Sequence, residues 1–322
     1  MARRIILDCD PGHDDTFAIV LAHGSPEIEL AAITTVAGNQ TLAKVTRNAR
    51  SVATLAGITD VPIAAGCDRP LLRDQVVAAQ IHGESGLDGA TLPEPTVALD
   101  PRHGVDVIVQ TVMAAAPGEI TLVPTGPLTN IAAALRREPH IVSRVREVVL
   151  MGGAYTRGNM TPAAEFNIGV DPEAAAIVFD AGWPVTMVGL DLTHQALATP
   201  DVVARIDAVG TPLAATLRDL VRFFRDAYSS DQGMSAPPVH DPCAVARVIA
   251  PDIMAVREAF VAVETQGRWT SGMTVTDFGN AYGQPPNTFV ATTLDVPRFW
   301  DLVVDAITRI GRQESRALDT MS

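Results

Sequence analysis

Four carboxylates stand within eight residues near the start of the chain: Asp8, Asp10, Asp14 and Asp15, in the run Asp8-Cys9-Asp10-Pro11-Gly12-His13-Asp14-Asp15. The apolar Ile5-Ile6-Leu7 before them reads as a buried strand, Pro11-Gly12 as a sharp turn, and Thr16 to Ala22 as a helix. Side chains alternate along a strand, so Asp8 and Asp10 project to one side if the strand persists that far. Asp14 and Asp15 then fall in the first helical turn, where the helix dipole favours negative charge. The dipole offsets only part of the repulsion among four anions. A hard divalent cation held by oxygen ligands is the more complete solution. The bland alternative is a capped turn with solvated acids.

Further polar residues recur just after apolar, strand-like runs. Gly38-Asn39 follows Leu30 to Val36, and Thr125-Gly126-Pro127 follows Ile120 to Val123, in a turn that frees the Thr125 carbonyl. Gly152-Gly153 follows Val148 to Met151 and opens a loop holding Asn159, Glu165 and Asn167. In an extended backbone Glu165 and Asn167 share one side while Phe166 packs on the other, an acid and an amide suited to sugar hydroxyls. His240-Asp241-Pro242 places a proline where a helix could begin, so Asp241 either caps that helix or serves as a further ligand.

The elements that must position these groups alternate. Strands are expected at Leu30–Val36, Val61–Ala64, Ile120–Val123, Val148–Met151 and Val185–Leu190. Helices are expected at Thr41–Leu55, Val105–Ala115, Pro127–Leu135 and Pro172–Phe179, and from Pro200 to about Ala227. This rhythm predicts a single α/β domain, Rossmann-like, with a mostly parallel central sheet and helices on both faces. Additional C-terminal strands follow (Ala259–Val263, Met273–Val275, Phe289–Leu294) before a helix over Pro297–Ile310. The domain is expected over 1–312, with 313–322 as a C-terminal tail. Gly66–Gly104 breaks the rhythm and reads as a long functional loop or lid, and Ser229–Val239 as a second loop. In such folds ligands bind beyond the carboxyl ends of the strands, where every polar group named above would lie.

Composition narrows the partners. The chain has 322 residues, 47% hydrophobic, with no apolar run of membrane-span length and no signal-peptide-like start. Its net charge of -13 argues against nucleic acid, whose phosphates require a basic footprint. Cys9, Cys67 and Cys243 form no CxxC pair, which fits a reducing cytoplasm. Lys44 is the only lysine, which excludes Schiff-base chemistry elsewhere in the chain.

The motifs together resemble the inosine-uridine preferring nucleoside hydrolases, Ca²⁺-dependent N-ribosidases. The opening acidic run resembles that family's N-terminal signature, with His13 at a variable place. The similarity continues through Ala37-Gly38-Asn39, Ile81-His82-Gly83, Pro124-Thr125-Gly126-Pro127-Leu128-Thr129-Asn130, Met151-Gly152-Gly153, Glu165-Phe166-Asn167 and His240-Asp241-Pro242, in the family's order along essentially the whole chain. By that resemblance Asp10, Asp15 and Asp241, with the Thr125 carbonyl, hold Ca²⁺, and Asp10 is the general base for the attacking water. Asp14, Asn39, Asn159, Glu165 and Asn167 match positions that hold ribose hydroxyls. Asp8 acquires no role and is read as structural. His240 matches a position that protonates the departing base; His82, in the long loop, is a second candidate. Tyr228 either stacks on or relays protons to the base, or is a core aromatic. The resemblance also implies a homodimer or homotetramer, a cytoplasmic location and a role in nucleoside salvage. It leaves purine and pyrimidine bases both open, and Ser85, Asp88, Arg225, Asp231 and Gln232 around the expected base pocket carry no readable preference.

Two other readings compete. A Mg²⁺-dependent phosphohydrolase would use Asp8 as nucleophile and Asp10 as acid/base, but Gly12 stands where Thr or Val is usual and Lys44 is poorly placed for the phosphoryl group. A catalytically silent ribonucleoside-binding protein would be favoured by a missing acid or ligand, and none is missing. Survival of bound nucleoside on incubation separates that reading from turnover.

Overall fold

The computed structural model describes residues 2–321, with side chains through 312. The tail expected over 313–322 lies outside the described side chains. One nine-stranded sheet organises the chain: β1 (Arg3–Cys9), β2 (Ile28–Thr35), β3 (Ile63–Ala65), β4 (Ile120–Pro124), β5 (Glu147–Met151), β6 (Val185–Val188), β7 (Met254–Val263), β8 (Thr274–Asp277) and β9 (Thr288–Leu294). The order is β3-β2-β1-β4-β5-β6-β9-β7-β8. Neighbours from β3 through β9 run parallel, and β7 returns antiparallel to both β9 and β8.

The central strands are apolar throughout because both faces are covered. Leu7, Val123 and Val149 pack into one core with the helices His13–Gly24, Leu42–Leu55 and Pro242–Ile249. Ile6, Leu122, Val148 and Leu150 point the other way, into a second core with the helices Gly104–Ala114, Thr129–Arg137 and Pro172–Phe179. Successive residues of one strand thus feed opposite cores, as the two-residue period of a strand requires. Strand order reverses between β1 and β4, so a crevice opens at their carboxyl ends. There Asp8 faces Pro124 in register, and the Thr125 N–H donates to the Asp8 carbonyl at 2.8 Å.

Several boundaries differ from expectation. Pro127 does not begin its helix, which runs over Thr129–Arg137, because Gly126-Pro127 is spent on the turn around Asp10. The helical stretch from Pro200 is two helices, Pro200–Asp207 and Pro212–Gln232, divided by Gly210 at φ 72° and capped afresh by Thr211. The second continues past Ala227 into the expected loop and stops where Gly233 adopts the left-handed conformation. Val61 and Pro62 lie outside β3. The last helix begins at Val296 and continues past Ile310 to Met321. The segment between β3 and Gly104 holds only the short helix Ala79–His82, as the long-loop reading expects.

Candidate active site

β1 ends at Cys9, so Asp8 and Asp10 do not share a strand face. Asp8 belongs to the framework: one oxygen accepts from Thr34 Oγ1 at 2.5 Å and Asn130 Nδ2 at 2.7 Å, joining β1 to β2 and the Thr129–Arg137 helix. Burial raises its carboxyl to about 7. Asp10 lies in the turn beyond. Its Oδ2 accepts the Asn39 N–H at 2.7 Å, while its buried Oδ1 has no hydrogen-bond partner. Asp14 and Asp15 occupy the first turn of His13–Gly24 as expected. Asp15 accepts from the backbone N–H of Gly12 and from Thr125 Oγ1 at 2.9 Å, fastening the first turn to the end of β4.

Asp241 stands at the N-cap of Pro242–Ile249, with Pro242 in the first turn, yet its side chain makes no capping bond. It turns instead toward Asp14 and Asp15, all three buried, with ligand atoms within 4.8 Å of one another. Carboxylates crowded this closely are stable only with protons or a cation among them. Burial first, and mutual repulsion second, drive Asp10 and Asp241 well above the usual carboxylate range and Asp14 to about 8. Among the described residues no ion pair reaches any of these acids. An oxygen-only donor set with an orphaned carboxylate oxygen beside it fits a hard divalent cation. Asp14, expected to meet the ribose, shares the tightest trio; Asp10 adjoins it.

A cavity of about 380 Å³ opens over this cluster, lined among others by Asp14, Asn39, His82, Thr125, Asn159, Glu165, Asn167, Tyr228, His240 and Asp241. The structure therefore gathers ten of the twelve residues singled out from the sequence around one space, with Asp10 and Asp15 beneath it. The extended reading of Glu165 and Asn167 is overturned: Phe166–Val170 is a short helix, and Glu165 caps it. Its carboxylate accepts the N–H groups of Gly153, Asn167 and Ile168 at 2.9, 2.9 and 3.1 Å. Burial nevertheless raises Glu165 to about 7. The amides are half committed to the scaffold. Asn39 Nδ2 donates to the Asp10 carbonyl and Asp15, Asn167 Nδ2 donates to the Thr125 carbonyl at 2.7 Å, and Asn159 Oδ1 accepts the Phe166 N–H at 2.9 Å. Each keeps its other amide atom for a ligand.

Across the cavity, His240 is buried with both ring nitrogens engaged: Nδ1 with Thr193 Oγ1 at 2.7 Å and Nε2 with the Tyr228 hydroxyl at 2.8 Å. Burial, helped by His194, holds this imidazole well below its usual pKa, so it is neutral at pH 7. Burial and the surrounding acids hold the Tyr228 phenol well above its usual value, so it keeps its proton. Tyr228 is thus wired to His240 rather than being only a core aromatic. His82 is buried on the remaining wall, and His13, left without a role by the sequence, lies against it. Phe224, Asp231 and Gln232 also line the cavity, from the segment Phe223 to Met234 expected to shape the base pocket, whereas Met151 and Phe166 were missed as lining residues. Apolar residues in apolar runs carry no sequence signal that separates a cavity wall from a core.

Acids beside a space that fits a sugar, amides with an atom free for a ligand and a buried histidine–tyrosine pair opposite make up what a glycosyl hydrolase needs at one strand-end crevice. Comparison with known proteins places that class: the profile of the inosine-uridine preferring nucleoside hydrolase family matches residues 5–301. The chain belongs to that family, whose members are N-glycosyl hydrolases. It is 57% identical over 312 residues to an inosine-uridine preferring nucleoside hydrolase of Crithidia fasciculata, covering 97% of this chain and 99% of that protein. It is 46% identical to a pyrimidine-specific ribonucleoside hydrolase of Escherichia coli, covering 95% and 99%. Among solved structures, a purine-preferring ribonucleoside hydrolase from Gardnerella vaginalis superposes with a TM-score of 0.90 at 35% identity, covering 96% of this chain and 99% of that one. No helix among the described residues is long and apolar enough to cross a membrane.

Proposed function

We propose that this protein hydrolyses the N-glycosidic bond of inosine- and uridine-like ribonucleosides, releasing ribose and free base, with Ca²⁺ as cofactor. The observation that carries the reading is the unpaired buried cluster of Asp14, Asp15 and Asp241, with the orphaned Asp10 Oδ1 beside it, at the floor of a cavity of nucleoside size. Asp10, Asp15 and Asp241 with the Thr125 carbonyl hold the cation, which when bound makes water easier to deprotonate. Asp10 takes the proton of the attacking water. Asp14, Asn39, Asn159, Glu165 and Asn167 hold the ribose hydroxyls. As the C–N bond breaks, positive charge grows on the sugar, and the carboxylates below stabilise it more than the neutral substrate.

The leaving base needs a proton. His240 takes up one proton from solvent and, as the C–N bond breaks, the imidazolium passes a proton from Nε2 through the Tyr228 hydroxyl to the base and returns to neutral, while Thr193 holds Nδ1. His82 meets the base from the loop side. In this reading residues 1–312 form the catalytic domain of a cytoplasmic homo-oligomer, a dimer or tetramer, acting in nucleoside salvage. The exposed Trp269 and Tyr282 near β8 are consistent with a covered surface.

Purified protein incubated with inosine, uridine, cytidine and adenosine, each with and without EGTA, is the direct test. Ribose release that the chelator abolishes and Ca²⁺ restores is expected. Intact nucleoside in every Ca²⁺-supplied reaction would instead favour a silent binding protein.

A further inference from the structure

His82 does not hang free in its loop. Its Nδ1 lies 3.1 Å from His13 Nδ1 and 3.3 Å from the His13 backbone nitrogen. His13 is itself fixed at three points. Its Nε2 lies 2.9 Å from the Asp88 carbonyl, which can only accept, so Nε2 carries a hydrogen. Its ring stacks on Phe223 and Phe224 of the Pro212–Gln232 helix, with centroids 5.3 and 5.0 Å away and interplanar angles of 4° and 2°. The Asp88 side chain in turn ties down its own loop, accepting the N–H groups of Glu84 and Ser85. The first helix, the loop and the long helix therefore meet on one imidazole.

The Nδ1 edge of His82 also packs on Gly12, where a Cβ would fall 2.5 Å from Nδ1 and 2.7 Å from Cε1. Because His13 carries its hydrogen on Nε2, its neutral ring accepts at Nδ1, so His82 donates there and its Nε2 is left as an acceptor. Nε2 has no protein partner among the described residues, on a ring that lines the cavity. It is the one nitrogen left for a ligand.

The geometry points to His13 as a positioning residue: by engaging Nδ1 it orients His82 so that Nε2 faces the nucleoside base. This rests on the nucleoside reading above, but assigns a role to a residue outside the cavity and outside the acid cluster. His13 touches neither sugar nor base; it acts only through His82. Its effect follows the leaving group, since a base that hydrogen-bonds His82 depends on the orientation and a leaving group that needs no such contact does not.

The test is a double-mutant cycle on His13→Leu and His82→Ala, with kcat and KM measured on uridine, inosine and p-nitrophenyl riboside. Leucine keeps apolar contact with Phe223 and Phe224 and the backbone nitrogen beside His82, but removes the ring nitrogen that meets Nδ1. We expect His13→Leu to lose about tenfold or more in kcat/KM on the nucleosides, the scale of one lost orienting hydrogen bond. On p-nitrophenyl riboside it should stay within about threefold, which also shows the variant is folded. Added to His82→Ala it should cost nothing further, because a residue acting through another has no effect once that other is gone. His13→Asn, which puts an amide near the lost Nδ1, should recover part of the nucleoside activity. Additive losses, or equal losses on all three substrates, would overturn the positioning role and reduce His13 to packing. A wild-type protein that cleaves p-nitrophenyl riboside but no nucleoside would instead sink the nucleoside reading itself.

Discussion

His240 and Tyr228 illustrate how burial sets a residue's chemistry. Imidazole in water titrates near neutrality, yet here desolvation keeps it uncharged, and the proton it could deliver is shared with a phenol rather than carried as a standing cation. His240→Ala should therefore slow inosine and uridine by about 10²–10⁴, the usual range for a lost acid, and slow p-nitrophenyl riboside far less, as nitrophenolate departs unprotonated. Steady-state ribose release on the three substrates decides this, and equal losses would remove the acid role. The sequence places His240 next to Asp241 and marks Tyr228, 12 residues away, as a candidate relay, but is silent on Thr193, which reaches it from 47 residues away. Asp241 shows the same limit. Its position before Pro242 fits a cap and a ligand equally, and only the direction of the carboxylate in the fold separates them.

At the scale of elements, the site depends on turns that let backbone approach carboxylate. Gly38 follows β2 so closely on Asp10 that an added Cβ would lie 2.1 Å from Asp10 Oδ2 and 2.7 Å from the Pro127 ring. Neither neighbour is free to yield: Asp10 is held by the Asn39 N–H, and Pro127 by its ring closure in the turn after β4. Gly38→Ala should leave the fold largely intact while displacing Asp10, with a loss of about 10²-fold in kcat, the scale of a catalytic group misplaced by about 1 Å. Circular dichroism alongside steady-state kinetics checks it; near-normal kcat would mean Asp10 tolerates the shift. Strand and helix existence was legible because both faces of the sheet are buried and the apolar runs are continuous. What was not legible is local competition: Glu165 could be read as part of an extended segment, but its carboxylate captures three backbone N–H groups and winds the next residues into a helix.

The whole molecule carries its net charge of -13 with several acids buried at one point. Asp14 is raised to about 8 and Glu165 and Asp8 to about 7, from ordinary carboxyl values near about 4. These carboxyls hold extra protons in the native state, an effect that buried neutral histidines such as His82 and His240 oppose below about pH 6.5, so stability falls as pH rises from about 6.5 to 8. Cation-free protein should show a lower thermal midpoint at pH 8 than at about pH 6.5. Ca²⁺ at pH 8 should restore it, contributing about 2.7 kcal/mol at a hundredfold excess over Kd. Differential scanning calorimetry with EGTA or Ca²⁺ reads both effects. A midpoint at pH 8 that ignores Ca²⁺ would mean protons alone neutralise the cluster.

Local chemistry and periodicity determined the elements, the mostly parallel sheet, the acidic cluster and the membership of the strand-end residues in one site, because each is written in neighbouring side chains or in motifs that stay in order. The tertiary structure decided which carboxylates touch, which amide atoms remain free, and that His13 stands behind His82. Those outcomes depend on the reversal of strand order between β1 and β4 and on how the long helix closes over the crevice. Contacts between residues scores of positions apart follow from packing two cores on one twisted sheet, and no local pattern of residues encodes them.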